Sequence, residues 1–300
     1  MNRNVKQIAL PLLAALVWGC AFVAQKSGAD VLGAFTFTWT RYLLAGLALL
    51  IFLALRAKKE GGTLRGTFAG ALPAGAVMGT LLMIASNLQQ YGVGMTTAGK
   101  AGFITALYIV LVPLFGLFLH KRVRFVVWCG VAVAVAGLYF LSFAADGEMV
   151  FTTGDLFVTL CAVVFTFHIL SIDHYTKRFD GVALACLQFF VASAESFVFA
   201  MAFDGFPARA IASCAVPILY AGLISGGVGY TLQIVAQKDG DPTVVSLLLS
   251  LESFFAVVSG AILLHERLTP REYLGCALML CAVVLVQLPE KKRDERQEKN

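Results

Sequence analysis

Leu119-His120-Lys121-Arg122-Val123 is echoed by Leu264-His265-Glu266-Arg267-Leu268, and the echo runs on without a gap, Gly130 falling on Gly275 and Ala132 on Ala277. One apolar segment upstream, Leu88-Gln89 is answered by Leu232-Gln233. Around these anchors the 300-residue chain divides into ten apolar stretches, near 7–27, 33–55, 67–92, 97–118, 124–143, 154–175, 180–204, 214–237, 242–264 and 270–288. A hydrocarbon core about 30 Å thick is crossed by about 20 residues of helix, and each stretch is about that long. The expected fold is an all-α membrane protein of ten transmembrane helices. Five spans per half is an odd number, so the second copy must cross the membrane upside down. The expected organisation is two inverted five-helix repeats, 1–145 and 146–289, followed by a charged and polar tail, 290–300, expected to be disordered on the cytoplasmic side. Many secondary transporters are built this way, with the solute site near the membrane midplane where the repeats meet.

Composition excludes the main alternatives. Hydrophobic residues make up 59% of the chain and charged residues 14%, with a mean hydropathy of +0.82; a soluble domain carries about 25% charged residues. Outer-membrane barrel strands alternate over about ten residues, whereas these runs are continuous. The net charge of +5 is no nucleic-acid signature, because the basic residues gather on one side of the expected topology. Arg56, Lys58, Lys59, Lys121, Arg122 and the basic tail share a side with the N-terminus. Lys and Arg in short loops stay cytoplasmic, so both termini are expected there, in a multi-pass arrangement that suits a bacterial inner membrane.

Smaller features fit the same plan. The seven cysteines all fall within spans at scattered spacing, which suits packing and neither a disulfide framework nor a zinc site. Val17-Trp18-Gly19-Cys20 faintly resembles a lipoprotein cleavage box. Trp18 is too large for the small residue such a box needs, and the segment is expected to stay as a helix. Gly75 and Gly79, then Gly222 and Gly226, stand four apart, the spacing that lets helices approach closely in lipid. Gly94 to Ala101 nearly spells a phosphate-binding loop, but Ala101 stands where the magnesium-binding Ser or Thr belongs, and no strand precedes it.

The stretch from Gly229 to Gln237, then Ser250-Leu-Glu-Ser-Phe-Phe-Ala256, then Leu264 to Leu268, resembles the second repeat of EamA-type transporters of the drug/metabolite transporter superfamily. Arg41-Tyr42 and the run from Ala98 to Thr105 fit the first repeat. Two positions depart from the pattern: Ser253 stands where members often have Pro, and Lys121 where they often have Glu. The resemblance implies ten helices in two inverted repeats and, often, export of amino acids or other small metabolites.

Ionisable groups inside a span are costly, about 2.5–3.5 kcal/mol at the centre on insertion scales, and each needs a reason. Glu252 falls near the middle of the ninth span. It can carry a proton in exchange for solute, or brace neighbouring helices through hydrogen bonds. Asn87, Gln90 and Tyr91 share one helical face of the third span. Trp18 in the first, Tyr108 in the fourth, His168 in the sixth and Gln233 in the eighth add polar or aromatic groups. Singly these suit interhelical hydrogen bonds; together they suit a substrate pathway with apolar walls and a few oriented polar groups. Arg41 is expected to be a structural anchor, snorkelling to the surface or pairing with an acid, with an anion clamp as the alternative.

The function expected is a secondary transporter, an exporter by resemblance, that moves a small organic solute by alternating access, with protons as a candidate coupling ion and no cofactor, metal or nucleic acid. A non-transporting receptor or assembly factor on the same fold is the alternative, since fold alone does not fix function. An intramembrane enzyme would need a nucleophile–base pair or a metal cluster at helical spacing, and the sequence has neither pattern.

Overall fold

The computed structural model describes residues 3–96, 98–118, 123–142, 152–263 and 270–287. The repeated Leu-His segments at 119–122 and 264–268, the acidic link with Asp146 and Glu148, and the tail lie outside the described residues. The described chain is helical, with no strand.

Helix α1 (Arg3–Ala29) and α2 (Ala34–Lys59) come first, then a single turn, α3 (Leu64–Thr67), and α4 (Leu72–Met95). The third span thus starts at 72 and not at 67. Thr63 caps α3 by accepting from the Gly66 N–H, Gly70 turns the chain at φ +71°, and Pro73 opens α4, where its missing N–H costs nothing. The fourth apolar stretch is two helices, α5 (Ala98–Ala106) and α6 (Tyr108–Phe118). Helix α7 (Phe125–Ser142) ends the first half.

Helix α8 (Thr153–Tyr175) starts on a capping box. The Asp155 N–H donates to Thr152 Oγ1 at 3.2 Å, and Asp155 Oδ2 accepts from the Thr152 N–H at 2.7 Å. Helix α9 (Gly181–Phe203) is capped by Asp180, whose Oδ1 accepts from the Ala183 N–H at 2.9 Å. After α10 (Ala208–Ser213) and α11 (Ala215–Leu219), the eighth span widens into a π-helix, Tyr220–Tyr230, before α12 (Thr231–Asp239). The ninth stretch is again two helices, α13 (Pro242–Leu249) and α14 (Glu252–Leu263), and α15 (Pro270–Gln287) closes the described chain.

Six described helical segments are long and apolar enough to cross a membrane, and four further apolar helices are shorter. Broad apolar surface faces outward, with Phe52, Leu55, Val198 and Phe203 all more than half exposed; in a membrane these side chains meet lipid. Packing runs between the halves of the chain. Helix α2 lies along α9, α7 along α15, and α4 along both α8 and α9, while α1 contacts α14, the π-helix and α12. Small residues set these approaches. A Cβ on Gly75 would stand 2.5 Å from Leu187 Cβ, and one on Gly222 would stand 2.7 Å from the Arg41 carbonyl. The spaced glycines are therefore contact points between helices.

Candidate functional site

The fourth and ninth stretches break at matching places, at Leu107 and at Ser250-Leu251, and each break is followed at once by a polar residue. Tyr108 opens α6 and Glu252 opens α14. The breaks tighten locally into three-residue turns: the Leu107 N–H donates to the Ile104 carbonyl at 3.2 Å, and the Leu251 N–H to that of Leu248 at 3.3 Å. They also meet. The Tyr108 hydroxyl donates to Glu252 Oε1 at 3.3 Å, and the Ser253 hydroxyl donates to the Gly102 carbonyl at 3.0 Å. A proline at 253 would supply neither that hydroxyl nor the N–H that Ser253 gives to the Ser250 carbonyl at 3.2 Å.

A cavity opens beside this junction, with about 570 Å³ of atom-free space including its mouth. Its aromatic wall is Trp18, Phe22, Tyr42, Phe165 and Tyr230. Polar groups reach it from both halves of the chain: Gln25, Gln89 and Thr105 from the first, Ser225 and Gln233 from the second. Arg41 and Glu252 add one guanidinium and one carboxyl.

The wall is locally well braced. The Trp18 indole N–H donates to the Ser225 carbonyl at 3.2 Å, and its ring centroid lies 4.7 Å from that of Tyr230. Gly229 makes room for it, since a Cβ there would stand 2.5 Å from the indole nitrogen. Tyr42 shares a hydrogen bond with Ser86, and Gln89 Nε2 donates to Thr105 Oγ1 at 3.3 Å. Gln25 Oε1 and Gln233 Oε1 are buried without a hydrogen-bond partner among the described residues, and both belong to residues that line the cavity. A solute with N–H or O–H groups could satisfy them.

Of the residues singled out in the sequence, Trp18, Tyr108, Gln233, Glu252 and Arg41 line the cavity. The others stand elsewhere. Gln90 is behind the wall, with Nε2 donating to the Gln25 carbonyl at 2.9 Å. Asn87 turns to α9, where Nδ2 donates to Ser196 Oγ at 2.9 Å. Tyr91 packs against Phe35 and Phe157, with centroids at 5.6 and 5.9 Å. His168 is fully buried one layer out, 3.0 Å from Gln188 Oε1 and with its ring 6.2 Å from that of Tyr230. Sequence reasoning passed over Gln89, Tyr42, Thr105 and Tyr230. For Gln89 the signal was present, because the repeat sets Leu88-Gln89 on Leu232-Gln233 and Gln233 was already a candidate.

Arg41 neither reaches the surface nor pairs with an acid among the described residues; it is 4% exposed. Glu195, about two-thirds along α9, accepts from Thr80 Oγ1 at 2.7 Å. Lys177 and Asp173, four residues apart, form an ion pair at 3.1 Å. No disulfide joins the seven cysteines, and no cluster of metal-ligating side chains occurs among the described residues.

Comparison with known proteins agrees with this architecture. A relative from Archaeoglobus fulgidus, named an uncharacterized transporter, is 32% identical over 92% of this chain and 84% of its own length. A probable terminal-alkyne amino-acid exporter from Streptantibioticus cattleyicolor is 27% identical over 92% of this chain and 91% of its own. The inner membrane transporter YedA of Escherichia coli is 24% identical over 93% and 91%. A solved structure, described only as the crystal structure of a protein, superposes with a TM-score of 0.79 at 17% identity, covering 94% of this chain and 96% of that one; at that identity the likeness concerns the fold. The EamA-like transporter pattern matches twice, over residues 5–143 and again over 152–288. With the pattern spanning nearly the whole chain, this multi-pass membrane protein belongs to the EamA-like transporter family of the drug/metabolite transporter superfamily.

Proposed function

We propose that the protein is a secondary transporter, exporting a small organic metabolite such as an amino acid by alternating access around the cavity. The observation that carries this reading is the meeting of two broken helices at a cavity lined from both halves of the chain. Discontinuous helices in corresponding positions are how transporters place polar groups at membrane depth. In this reading ten spans form two inverted five-helix repeats, 1–145 and 146–289. The double family match and the pairing of α2 with α9 and of α7 with α15 support that arrangement. Both termini are cytoplasmic and the membrane is the bacterial inner membrane, as the distribution of basic residues and the name of the Escherichia coli relative suggest. The Streptantibioticus relative, by its name, favours an amino acid as cargo.

In the same reading Glu252 is the proton-coupling group. It is buried, it lines the cavity, and the Tyr108 hydroxyl holds it at the junction of the breaks. Trp18 and Gln233 belong to the substrate pathway, Asn87, Gln90, Tyr91 and His168 support it from behind, and the protein has neither a cofactor nor enzymatic activity. Reconstitution in liposomes tests all of this. Wild-type protein is expected to accumulate a labelled amino acid or another small solute against a proton gradient. Glu252→Gln is expected to lose that accumulation while still exchanging labelled for unlabelled solute. Undiminished proton-driven uptake by the variant would remove Glu252 from coupling, and no flux across amino acids, nucleosides, sugars and polyamines would remove transport itself.

A further inference from the structure

We propose that Arg41 is the solute-binding cation of the cavity and that the transported solute carries a carboxylate. The inference rests on the transporter reading and narrows it to a class of solute and a residue that selects it.

Arg41 sits well inside α2, 4% exposed. A guanidinium offers five N–H donors and cannot be deprotonated in a protein. Here Nη2 donates to the Tyr42 hydroxyl at the long distance of 3.4 Å, and Nε is buried without a partner among the described residues. The guanidinium carbon lies 4.7 Å from the Tyr42 ring centroid and 5.5 Å from that of Phe37. Such ring faces offset only part of the cost of a charge taken out of water. No carboxylate pairs with Arg41 among the described residues. What it does face is the cavity. The close approach of the π-helix at Gly222, against the Arg41 carbonyl, holds this part of α2 at the cavity wall.

The charge balance of the wall decides the kind of anion. The lining has one guanidinium and one carboxyl. A dianion such as a phosphate monoester would bring two negative charges to a single cation with Glu252 nearby. A monocarboxylate matches Arg41 one to one and can accept two parallel N–H bonds from its fork. The rings of Trp18, Phe22, Phe165 and Tyr230 then face the rest of the solute.

Four probes on one phenyl body separate the groups involved: 3-phenylpropionate, L-phenylalanine, 3-phenylpropanamide and phenethylamine. Thermal shift and calorimetry on the purified full-length protein in nanodiscs are expected to show binding of the carboxylates and none of the amide or the amine. Equal binding of the two acids would identify a simple organic acid as the source of the carboxylate; binding of phenylalanine alone would identify an amino acid. Arg41→Gln should weaken the bound carboxylate at least about tenfold, the scale of one charge-assisted pair, and Arg41→Lys should restore part of it. If Arg41→Gln does not fold, the selectivity of the wild-type protein and of Arg41→Lys decides alone. Binding of the amide or amine as tight as that of the acids, a carboxylate response that survives in Arg41→Gln, or no response to either acid would overturn the proposal. The proteoliposome assay keeps the two readings apart. Flux of neutral or cationic solutes that Arg41→Gln leaves unchanged would sink the carboxylate and leave transport standing, whereas a protein that moves no solute has lost the broader reading.

Discussion

Asn87 and Gln89, two residues apart on α4, point to different neighbours and carry different expectations. Asn87 donates to the Met83 carbonyl and to Ser196 Oγ, both at 2.9 Å, and ties α4 to α9. Gln89 lines the cavity and donates to Thr105 Oγ1. Hydrogen bonds between membrane helices average about 0.6 kcal/mol. Asn87→Ala is therefore expected to lower the melting temperature slightly and to leave solute affinity unchanged. Gln89→Ala is expected to do the reverse, with folding near wild type and weaker solute binding in the same calorimetric titration. An affinity loss in Asn87→Ala equal to that in Gln89→Ala would mean that the cavity does not distinguish the two faces of α4. Ser253 makes the same point about small polar residues, since its hydroxyl joins α14 to α5 across the two halves.

Among the elements, the contacts of α4 with α9 and of the π-helix with α2 depend on the absence of side chains. A Cβ on Gly79 would stand 2.5 Å from Val191 Cβ and 2.9 Å from the Gln188 carbonyl. Neither neighbour is the end of a flexible chain, so a larger residue must push the helices apart. Gly79→Leu is expected to cost about 1–3 kcal/mol, the usual penalty of overpacking. It should appear as a lower melting temperature and a smaller monodisperse yield in detergent. Gly62→Ala is the control: its Cβ would have the Ala57 carbonyl as neighbour at 3.8 Å, and stability should not change. The π-helix is also an element with consequences for the site. It delivers Ser225 and Tyr230 to the cavity, and wide turns of this kind occur often at functional positions.

For the molecule as a whole, the cavity exists because the halves interleave. Helix α1 from the first half lies against α14 and α12 of the second, and α8 of the second lies against α4, α5 and α6 of the first. Neither half alone would have a finished wall, since Trp18 is braced by Ser225 and Tyr230, and Tyr108 by Glu252. In the proposed topology the basic residues lie on the cytoplasmic side. A C-terminal tag is expected to resist protease in intact spheroplasts and to be cleaved in inverted vesicles. Cleavage in the spheroplasts would reverse the topology and, with it, the sense of export.

Periodicity and composition sufficed for the membrane environment and the all-helical fold, because burying about 20 apolar residues at a time admits few other solutions. The glycine spacing was likewise readable as close helix packing. Local sequence also marked Trp18, Tyr108, Gln233 and Glu252, since polar and aromatic groups at membrane depth are costly without a purpose. Tertiary structure decided the rest. The break at Leu107 has no proline or glycine to announce it: Pro113 lies inside α6, past the break. The polar face read on the third span was divided among three environments: Asn87 meets Ser196 of α9, Gln90 the Gln25 carbonyl of α1, and Tyr91 the rings of Phe35 and Phe157. Arg41 was the sharpest case. A lone arginine two turns into a span can snorkel, pair or wait for a ligand, and the choice depends on what stands around it. Here aromatic rings cover the guanidinium, no acid pairs with it among the described residues, and the open direction is the cavity. Such surroundings come from helices far apart in sequence, and no local pattern encodes them.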